Sequence, residues 1–298
     1  MKKRIAILTG GTSSEREIAL ASAEGVRSAL GDRFDVSRFV LPEDMDKFLA
    51  EHRSIDVVVP VFHGRGGEDG VIQGFLRTLN LAFIFSDVEA QALAANKALA
   101  KNLVAKIGIN TPKAILASSG EALVYAGPVA VKPLDGGSSI GVSIVKDEAA
   151  FAGAVAEALK LSPSVLIEDF IEGAEFTVPI IETKNGLRAL PVIEIRSKTG
   201  FFDLASKYDP ALVDETCPAC IAHELAAALS EAALKAHQAI GARHMSRSDF
   251  IVDKEGMIWF LEINTIPGQT ANSLIPKAVK AANIDFGELL AEWIEAAL

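Results

Sequence analysis

The order of apolar and polar residues divides the chain into stretches of different period. "RIAILTGG" (4–11) is apolar and ends on two glycines, which predicts a buried strand followed by a turn. "SEREIALASAEGVRSALG" (14–31) has helical spacing, with Ser14 and Glu17 placed as a capping box. "IDVVVPVFHG" (55–64) is a continuous apolar run, as expected of a parallel strand covered on both faces, and "DGVIQGFLRTLN" (69–80) returns to helical spacing. This alternation predicts a βαβ lobe ending near residue 85. "DVEAQALAANKALAKNLVAKIG" (87–108) predicts one long helix, stopped by Gly108 and by the Asn-Thr-Pro that follows.

The middle of the chain changes character. "PVAVKP", "GVSIVK", "SVLIEDF" and "AEFTVPIIE" are short strands joined by turns, with one helix, "DEAAFAGAVAEALK", between the second and third. An α+β lobe with an antiparallel sheet follows from that pattern. "LPVIEIRS" adds a strand, and "KTGFFDLASKYDPALVDETCPA" (198–219) has no period and reads as a long loop of the kind that usually serves function. The helix "AHELAAALSEAALKAHQAIGA" (222–242) leads into "SRSDFIVDKEGMIWFLEINT" (246–265), two strands around a turn.

In that hairpin a four-residue turn, Asp253 to Gly256, would pair Val252 with Met257, Phe250 with Trp259 and Asp249 with Phe260. Arg247, Asp249, Phe260, Glu262 and Asn264 then share one face, because strand side chains alternate. Phe250, Val252, Met257, Trp259, Leu261 and Ile263 take the other. Two carboxylates and an amide oxygen are hard ligands suited to Mg²⁺ rather than zinc. The plainer reading is an exposed hairpin end with solvated acids.

Composition narrows the field. The chain has 298 residues, half of them hydrophobic, enough for two or three lobes with cores. A net charge of −10 argues against a nucleic-acid surface. The basic start "MKKR" precedes an apolar run too short for a signal peptide, and no segment approaches a membrane span, so a soluble cytoplasmic protein is expected. Two cysteines form "CPAC" (217–220); without further ligands or a thioredoxin-like context, a structural role is expected.

A second chemistry sits in "VKPLDGGSSIGVSIV" (131–145). Glycines let main-chain N–H groups close on phosphate oxygens, while Ser138 and Ser139 add hydroxyls and Lys132 a charge. A strand follows instead of a helix, and G-K-[ST] is missing, so this is a strand–loop–strand clamp and not a Walker loop. With an Mg²⁺ site it implies a nucleoside triphosphate; alone it could be a flexible hairpin tip. The first loop, "TGGTSSERE", is not G-x-G-x-x-G, which counts against a dinucleotide fold. Glu15 there could favour the helix dipole or hold an ammonium, and His63 could be structural or a ligand.

"GGTSSEREIAL", "HGRGGEDG", "VKPLDGGSSIGVS", "LIEDFIEGAEFTV", "SKY" and "LEINTIPGQTANSLIP" occur in the order seen in D-alanine–D-alanine ligases, and the chain resembles that ATP-grasp family over nearly its whole length. The resemblance implies α/β and α+β architecture: a Rossmann-like N-terminal lobe (1–86), a central ATP-grasp subdomain with the glycine loop (87–172), and a C-terminal subdomain with a lid loop and metal site (173–298). It implies ligation of two D-alanines through an acylphosphate for peptidoglycan, with ATP and Mg²⁺ (two ions expected, Mn²⁺ an alternative), and a cytoplasmic homodimer. By the same resemblance Lys97, Lys132, Ser138 and Ser139 hold phosphates, Glu168 and the main chain to Ile171 face adenine, and Glu175 meets ribose. Asp249, Glu262 and Asn264 match the metal ligands. Glu15 and His63 fall to the first substrate, Lys207, Ser273 and Leu274 to the second, Arg247 and the Gly268 N–H to the oxyanion, and Ser138–Tyr208–Glu15 to a bridge closing the lid. Tyr208 points to D-alanine rather than D-lactate or D-serine as the second substrate. The chain departs from the pattern at Asp87, Leu204, Ser248 and Gln269, none of which removes a charged or metal-binding group; Leu204 and Gln269 bear on lid packing and second-site fit. The alternatives are another ATP-grasp carboxylate–amine ligase, including D-Ala–D-Ser or D-Ala–D-Lac specificity, and a nucleotide-binding module without turnover.

Overall fold

A computed structural model describes residues 2–121, 123–134, 137, 140–197 and 213–298. The N-terminal lobe is built on a parallel sheet of β1 (Arg4–Gly10), β2 (Asp35–Leu41) and β3 (Val57–Val61), ordered β2-β1-β3. Successive residues of β1 supply opposite cores. Ile5 and Ile7 meet α1 (Arg16–Leu30) and the last helix, α9 (Phe286–Ala297), through Val26, Leu30 and Ile294. Ala6 and Leu8 meet α2 (Met45–Glu51) and α3 (Val71–Thr78) through Phe48, Ile72 and Leu76. Burial on both faces explains the unbroken apolar runs of β1 and β3.

The expected capping box is absent. Helix α1 begins at Arg16 with Glu15 as its N-cap and no side-chain cap bond. Ser13 organises the turn instead: its hydroxyl accepts the Glu15 N–H at 3.2 Å and donates to the His63 carbonyl at 2.6 Å, tying two loops together.

The expected long helix is two, α4 (Val88–Ala95) and α5 (Lys97–Lys106). Asn96 leaves helical geometry (φ −89°, ψ 96°) and its side chain accepts the Leu99 N–H, so an amide inside an apolar period caps a second helix. Asp87 caps α4 and pairs with Arg77, which gives this departure from the family pattern a local role.

A four-stranded antiparallel sheet, ordered β4-β7-β5-β6, follows: β4 (Ala114–Ser118), β5 (Val129–Pro133), β6 (Ser143–Val145) and β7 (Ser164–Asp169). Helix α6 (Glu148–Leu161) covers one face with Phe151, Val155 and Ala158. The third sheet holds β8 (Gly173–Thr183), β9 (Gly186–Ala189), β10 (Ile193–Ser197), β11 (Val213–Thr216), β12 (Met245–Asp253) and β13 (Ile258–Asn264). Its order is β11-β10-β8-β12-β13, with β9 on β8. Part of the stretch expected to be loop is thus strand, because β11 pairs antiparallel with β10. Helix α7 (His223–Ile240) packs Leu229, Ala233 and Ala236 on this sheet, and α4 and α5 share the same core through Ala94, Ala100 and Val104. Helix α8 (Leu274–Ala281) packs back towards the N-terminal lobe. Among the described residues no helix is long and apolar enough to cross a membrane.

The hairpin register needs correcting. Asp253 and Met257 bond directly, leaving a three-residue turn with Gly256 at φ 81°, where a side chain would be strained. Val252 therefore faces Ile258, not Met257, and Phe250 faces Phe260, not Trp259. A bulge follows between Asp249 and Phe250, so that Asp249 stands opposite Glu262 and Arg247 opposite Asn264. Phe260 joins Phe250 in the core, ring centroids 5.8 Å apart, while Met257 is exposed and the Trp259 indole turns to Asp253 on the other face. The slip at the turn and the extra residue at the bulge add to a shift of two, so the polar residues share a face as expected, though opposite other partners, and the aromatic ones do not.

Candidate active site

On the polar face of the hairpin, Asp249 is held from two sides. Arg247 donates Nε to Oδ1 at 3.0 Å and Nη2 to Oδ2 at 2.9 Å, and Thr177 on β8 donates its hydroxyl to Oδ1 at 2.5 Å. Burial disfavours the Arg247 charge, but the Asp249 carboxylate outweighs it and holds the guanidinium above its ordinary range. Across the ladder, Glu262 lies 3.1 Å from the Lys97 ammonium. Burial pulls Lys97 down, and the charge and hydrogen bond of Glu262 overcome it, so Lys97 stays cationic. The Asn264 amide oxygen accepts the Ile266 N–H at 2.8 Å, which fixes its orientation.

These side chains fit a hard divalent cation. Asp249 and Glu262 are cross-strand neighbours, and their carboxylates are the hard oxygen donors such an ion takes. Among the described residues no cluster of three His, Cys, Asp or Glu side chains forms a metal cage, so the donor set depends on the Asn264 amide. Cys217 and Cys220 are free; burial pushes the Cys217 thiol up, away from the thiolate a metal or redox site needs.

One helical turn beyond Lys97, Lys101 is buried. Its ammonium lies 3.1 Å from Glu168 Oε1 on β7 and donates to the Phe260 carbonyl on β13 at 3.3 Å. Lys132 on β5 takes the other Glu168 oxygen at 2.8 Å. Burial would raise the Glu168 carboxyl, but the charges of Lys132 and Lys101 hold it below the usual carboxylate range. Burial pushes Lys101 down to about 8, against the pull of Glu168.

The N-terminal lobe brings Glu15 and His63, both buried. The Glu15 carboxylate lies between two glycines of different lobes: an added Cβ would stand 2.7 Å from it at Gly64 and 2.9 Å at Gly137. His63 Nε2 is 3.0 Å from the Ser22 hydroxyl, and Nδ1 is 3.6 Å from Glu68, whose other oxygen accepts the Gly64 N–H at 2.7 Å. The Ser22 hydroxyl also accepts the main-chain N–H of buried Gln269 at 3.2 Å. At the start of α8, Ser273 accepts the Thr270 N–H at 3.1 Å, and a Cβ at Gly268 would fall 2.8 Å from its hydroxyl, so glycine is needed for that approach.

One cavity of about 1030 Å³ gathers these groups. Glu15 and His63 line it from the N-terminal lobe, Lys97 and Gly137 from the middle of the chain, and Arg247, Asp249, Glu262 and Asn264 from the hairpin. Gly268, Ser273 and Leu274 close one end. Of the other sequence-predicted residues, half-buried Lys132 is paired with buried Glu168 outside its lining, and Ile171 and Glu175 are half-buried and outside it too. Ser138, Ser139, Lys207 and Tyr208, and with them Leu204, lie outside the described residues. Sequence reasoning missed Thr177, Lys101 and Glu68, and also the Glu215–Lys277 pair that lines the cavity between β11 and α8. Only Lys101 left a signal, its spacing of four from Lys97.

The family model described as "D-ala D-ala ligase C-terminus" matches residues 102–295. The D-alanine–D-alanine ligase of Desulfotalea psychrophila is 39% identical over 306 residues, covering 99% of this chain and 95% of the relative. Among solved structures, the Bacillus anthracis D-alanine–D-alanine ligase complexed with ATP superposes with a TM-score of 0.86 at 28% identity, covering 99% of this chain and 97% of that one. The VanG D-Ala:D-Ser ligase of Enterococcus faecalis gives 0.85 at 27% identity, with both chains fully covered. A match along the whole length, on the fold and site just described, makes this chain a member of the D-alanine–D-alanine ligase family.

Proposed function

We propose that the protein joins two D-alanines at the expense of ATP, with Mg²⁺ at Asp249, Glu262 and Asn264, to supply the dipeptide end of a peptidoglycan stem. The observation that carries this is a cavity in which a hard-ligand face, the half-buried Arg247 guanidinium and a recognition end converge from different parts of the chain. Full-length similarity to ligases of that name supports the substrate class.

Lys97 and Lys132 supply positive charge for the phosphates, with the loop around Ser138 and Ser139. The strand from Glu168 to Ile171 and the Glu175 carboxylate serve the nucleoside. Mg²⁺, two ions by the family resemblance, would be held by Asp249, Glu262 and Asn264 and would supply neutralisation of the γ-phosphoryl charge. Glu15 and His63 orient the first D-alanine so that its carboxylate attacks that phosphoryl group, the bond to the β-phosphate breaks, and ADP and an acylphosphate result. Lys207, Ser273 and Leu274 seat the second, whose amine attacks the activated carbonyl and, after losing a proton, displaces inorganic phosphate. Arg247 and the Gly268 N–H then face the developing oxyanion, a role worth about 2.7–4 kcal/mol per donor. Bridging of Ser138, Tyr208 and Glu15 closes the lid over the acylphosphate and keeps water from it.

We further propose the division 1–86, 87–172 and 173–298, with α4 and α5 packed across the second boundary onto the large sheet, and a cytoplasmic homodimer as the working form. Similarity to a D-Ala:D-Ser ligase at nearly the same TM-score supports a second reading of the product, in which D-serine takes the second site. The test is phosphate release from Mg-ATP with D-alanine, L-alanine, D-serine, D-lactate or no addition, with the product identified. D-Alanine alone should suffice and yield the dipeptide. Turnover needing D-serine or D-lactate beside D-alanine would move the product, and equal turnover with L-alanine would end the D-alanine reading in favour of another carboxylate–amine ligase.

A further inference from the structure

Lys101 touches parts of three different units. It stands on α5 one turn after Lys97, reaches Glu168 on β7 of the four-stranded sheet, and donates to the Phe260 carbonyl on β13 of the large sheet. Glu168 is itself bound to Lys132. Phe260 precedes Glu262 by two residues and flanks the bulge that turns Glu262 towards Asp249. As the edge strand, β13 has main-chain groups that need partners outside its own sheet. At Phe260 both groups are taken by α5 and the connection after it: the N–H donates to the Asn110 carbonyl at 2.8 Å and the carbonyl accepts from Lys101.

A buried ammonium is costly to desolvate, and an apolar side chain of the same length would avoid that cost. Its retention calls for something besides stability. Lys101 is bound to one pair, Lys132–Glu168, and to the strand that carries Glu262 of the other, Lys97–Glu262; these are the pairs the proposed function assigns to the nucleotide and to its phosphates and metal.

We propose that Lys101 is a positioning residue for Mg-ATP: its ammonium ties Glu168 on the nucleotide-facing strand to the Phe260 carbonyl on the metal-facing strand, and so sets the spacing across which the nucleotide is held. This rests on the ligase reading given above. Lys101 does not line the cavity and acts only through its partners.

Lys101→Met keeps the apolar stem and removes the charge, whereas Lys101→Arg keeps the charge. The Met variant should raise both the Kd for Mg-ATP, measured by calorimetry without D-alanine, and the KM for Mg-ATP by about tenfold or more, the scale of lost outer-shell partners. Its KM for D-alanine should stay near the wild-type value, and the Arg variant should recover most of the ATP affinity. A merely structural lysine would lower the melting temperature and the active fraction without this split. Unchanged Kd for Mg-ATP in a folded Met variant overturns the proposal. Should that variant fail to fold, Lys101→Leu, which also removes the charge and the donor, is read by the same criterion. Absence of D-alanine-dependent phosphate release in the wild type would count against the ligase reading, while the calorimetric comparison still decides the role of Lys101.

Discussion

Asp249 shows how much of a site lies behind the residues that would touch a ligand. Its carboxylate is buried and shares its oxygens between Arg247 and Thr177. Thr177→Val keeps the shape and removes one donor. The Mg²⁺ concentration for half-maximal phosphate release should rise about 10- to 100-fold. The loss of one hydrogen bond to a buried charge should also lower stability by about 1–3 kcal/mol in thermal melts. An unchanged Mg²⁺ requirement would show that Thr177 only packs. Glu262→Gln acts on the donor set itself. It keeps the volume but removes a hard charged ligand and the partner of Lys97, so Mg²⁺-dependent turnover should disappear while the melting temperature moves by only a few degrees. Wild-type-like activity in this variant would refute the metal assignment. Asp249, Glu262 and Asn264 were legible in the sequence because polar residues at alternate positions of an apolar strand need a reason to be there. Thr177 was not: it sits 72 residues away on a strand whose pairing no local pattern reveals.

At the scale of elements, alternation of apolar and polar residues fixes which side chains share a face within one strand but says little about two strands together. A four-residue turn and a three-residue turn ending in a left-handed glycine look alike in the sequence around Gly256, and a bulge leaves no mark in the period. The carboxylates met because both departures occurred, while Trp259 and Phe260 exchanged faces. The split of the long helix is similar, since an asparagine costs an interior position little, and its stronger preference shows only where a new helix starts. That start matters, because Lys97 is the first residue of α5 and points its ammonium at Glu262. Asn96→Ala should remove the cap bond to the Leu99 N–H, lower stability by about 1 kcal/mol, and let α4 and α5 run together. Displacing Lys97 should then raise the KM for ATP more than that for D-alanine. Equal changes in both would mean that the break serves the fold and not the phosphate site.

At the scale of the molecule, the N-terminal lobe is joined to the large sheet by groups that must stay neutral. His244 Nδ1 accepts the Phe85 main-chain N–H at 2.8 Å, which requires that nitrogen to be unprotonated, and the ring lies against Trp293 at 5.3 Å. Both residues of this contact have left-handed backbones, φ 71° for Phe85 and 64° for His244, so tertiary packing holds a geometry that local preference opposes. Nearby, His237 shares a 2.8 Å hydrogen bond with Ser246. Burial pushes both imidazoles down to about 4; at His244 the Arg243 and His237 charges act in the same direction. An unfolded histidine titrates near 6.5, so between about pH 6.5 and 4 the unfolded chain binds protons that the folded chain refuses. Stability therefore falls as pH drops through that window and is unaffected by these groups above it. Each histidine should cost on the order of 3 kcal/mol by the bottom of the window. Denaturant melts at pH 7, 5.5 and 4.5 should show the fall, and His237→Gln, which cannot take up the proton, should lessen it. At His244 a glutamine can still accept the Phe85 N–H through its side-chain oxygen, so His244→Gln separates the charge from the hydrogen bond. If the slope with pH is the same in both variants as in the wild type, acid sensitivity arises elsewhere, and the joint between the lobes is held by packing around Phe85 and Trp293 rather than by the neutrality of its histidines.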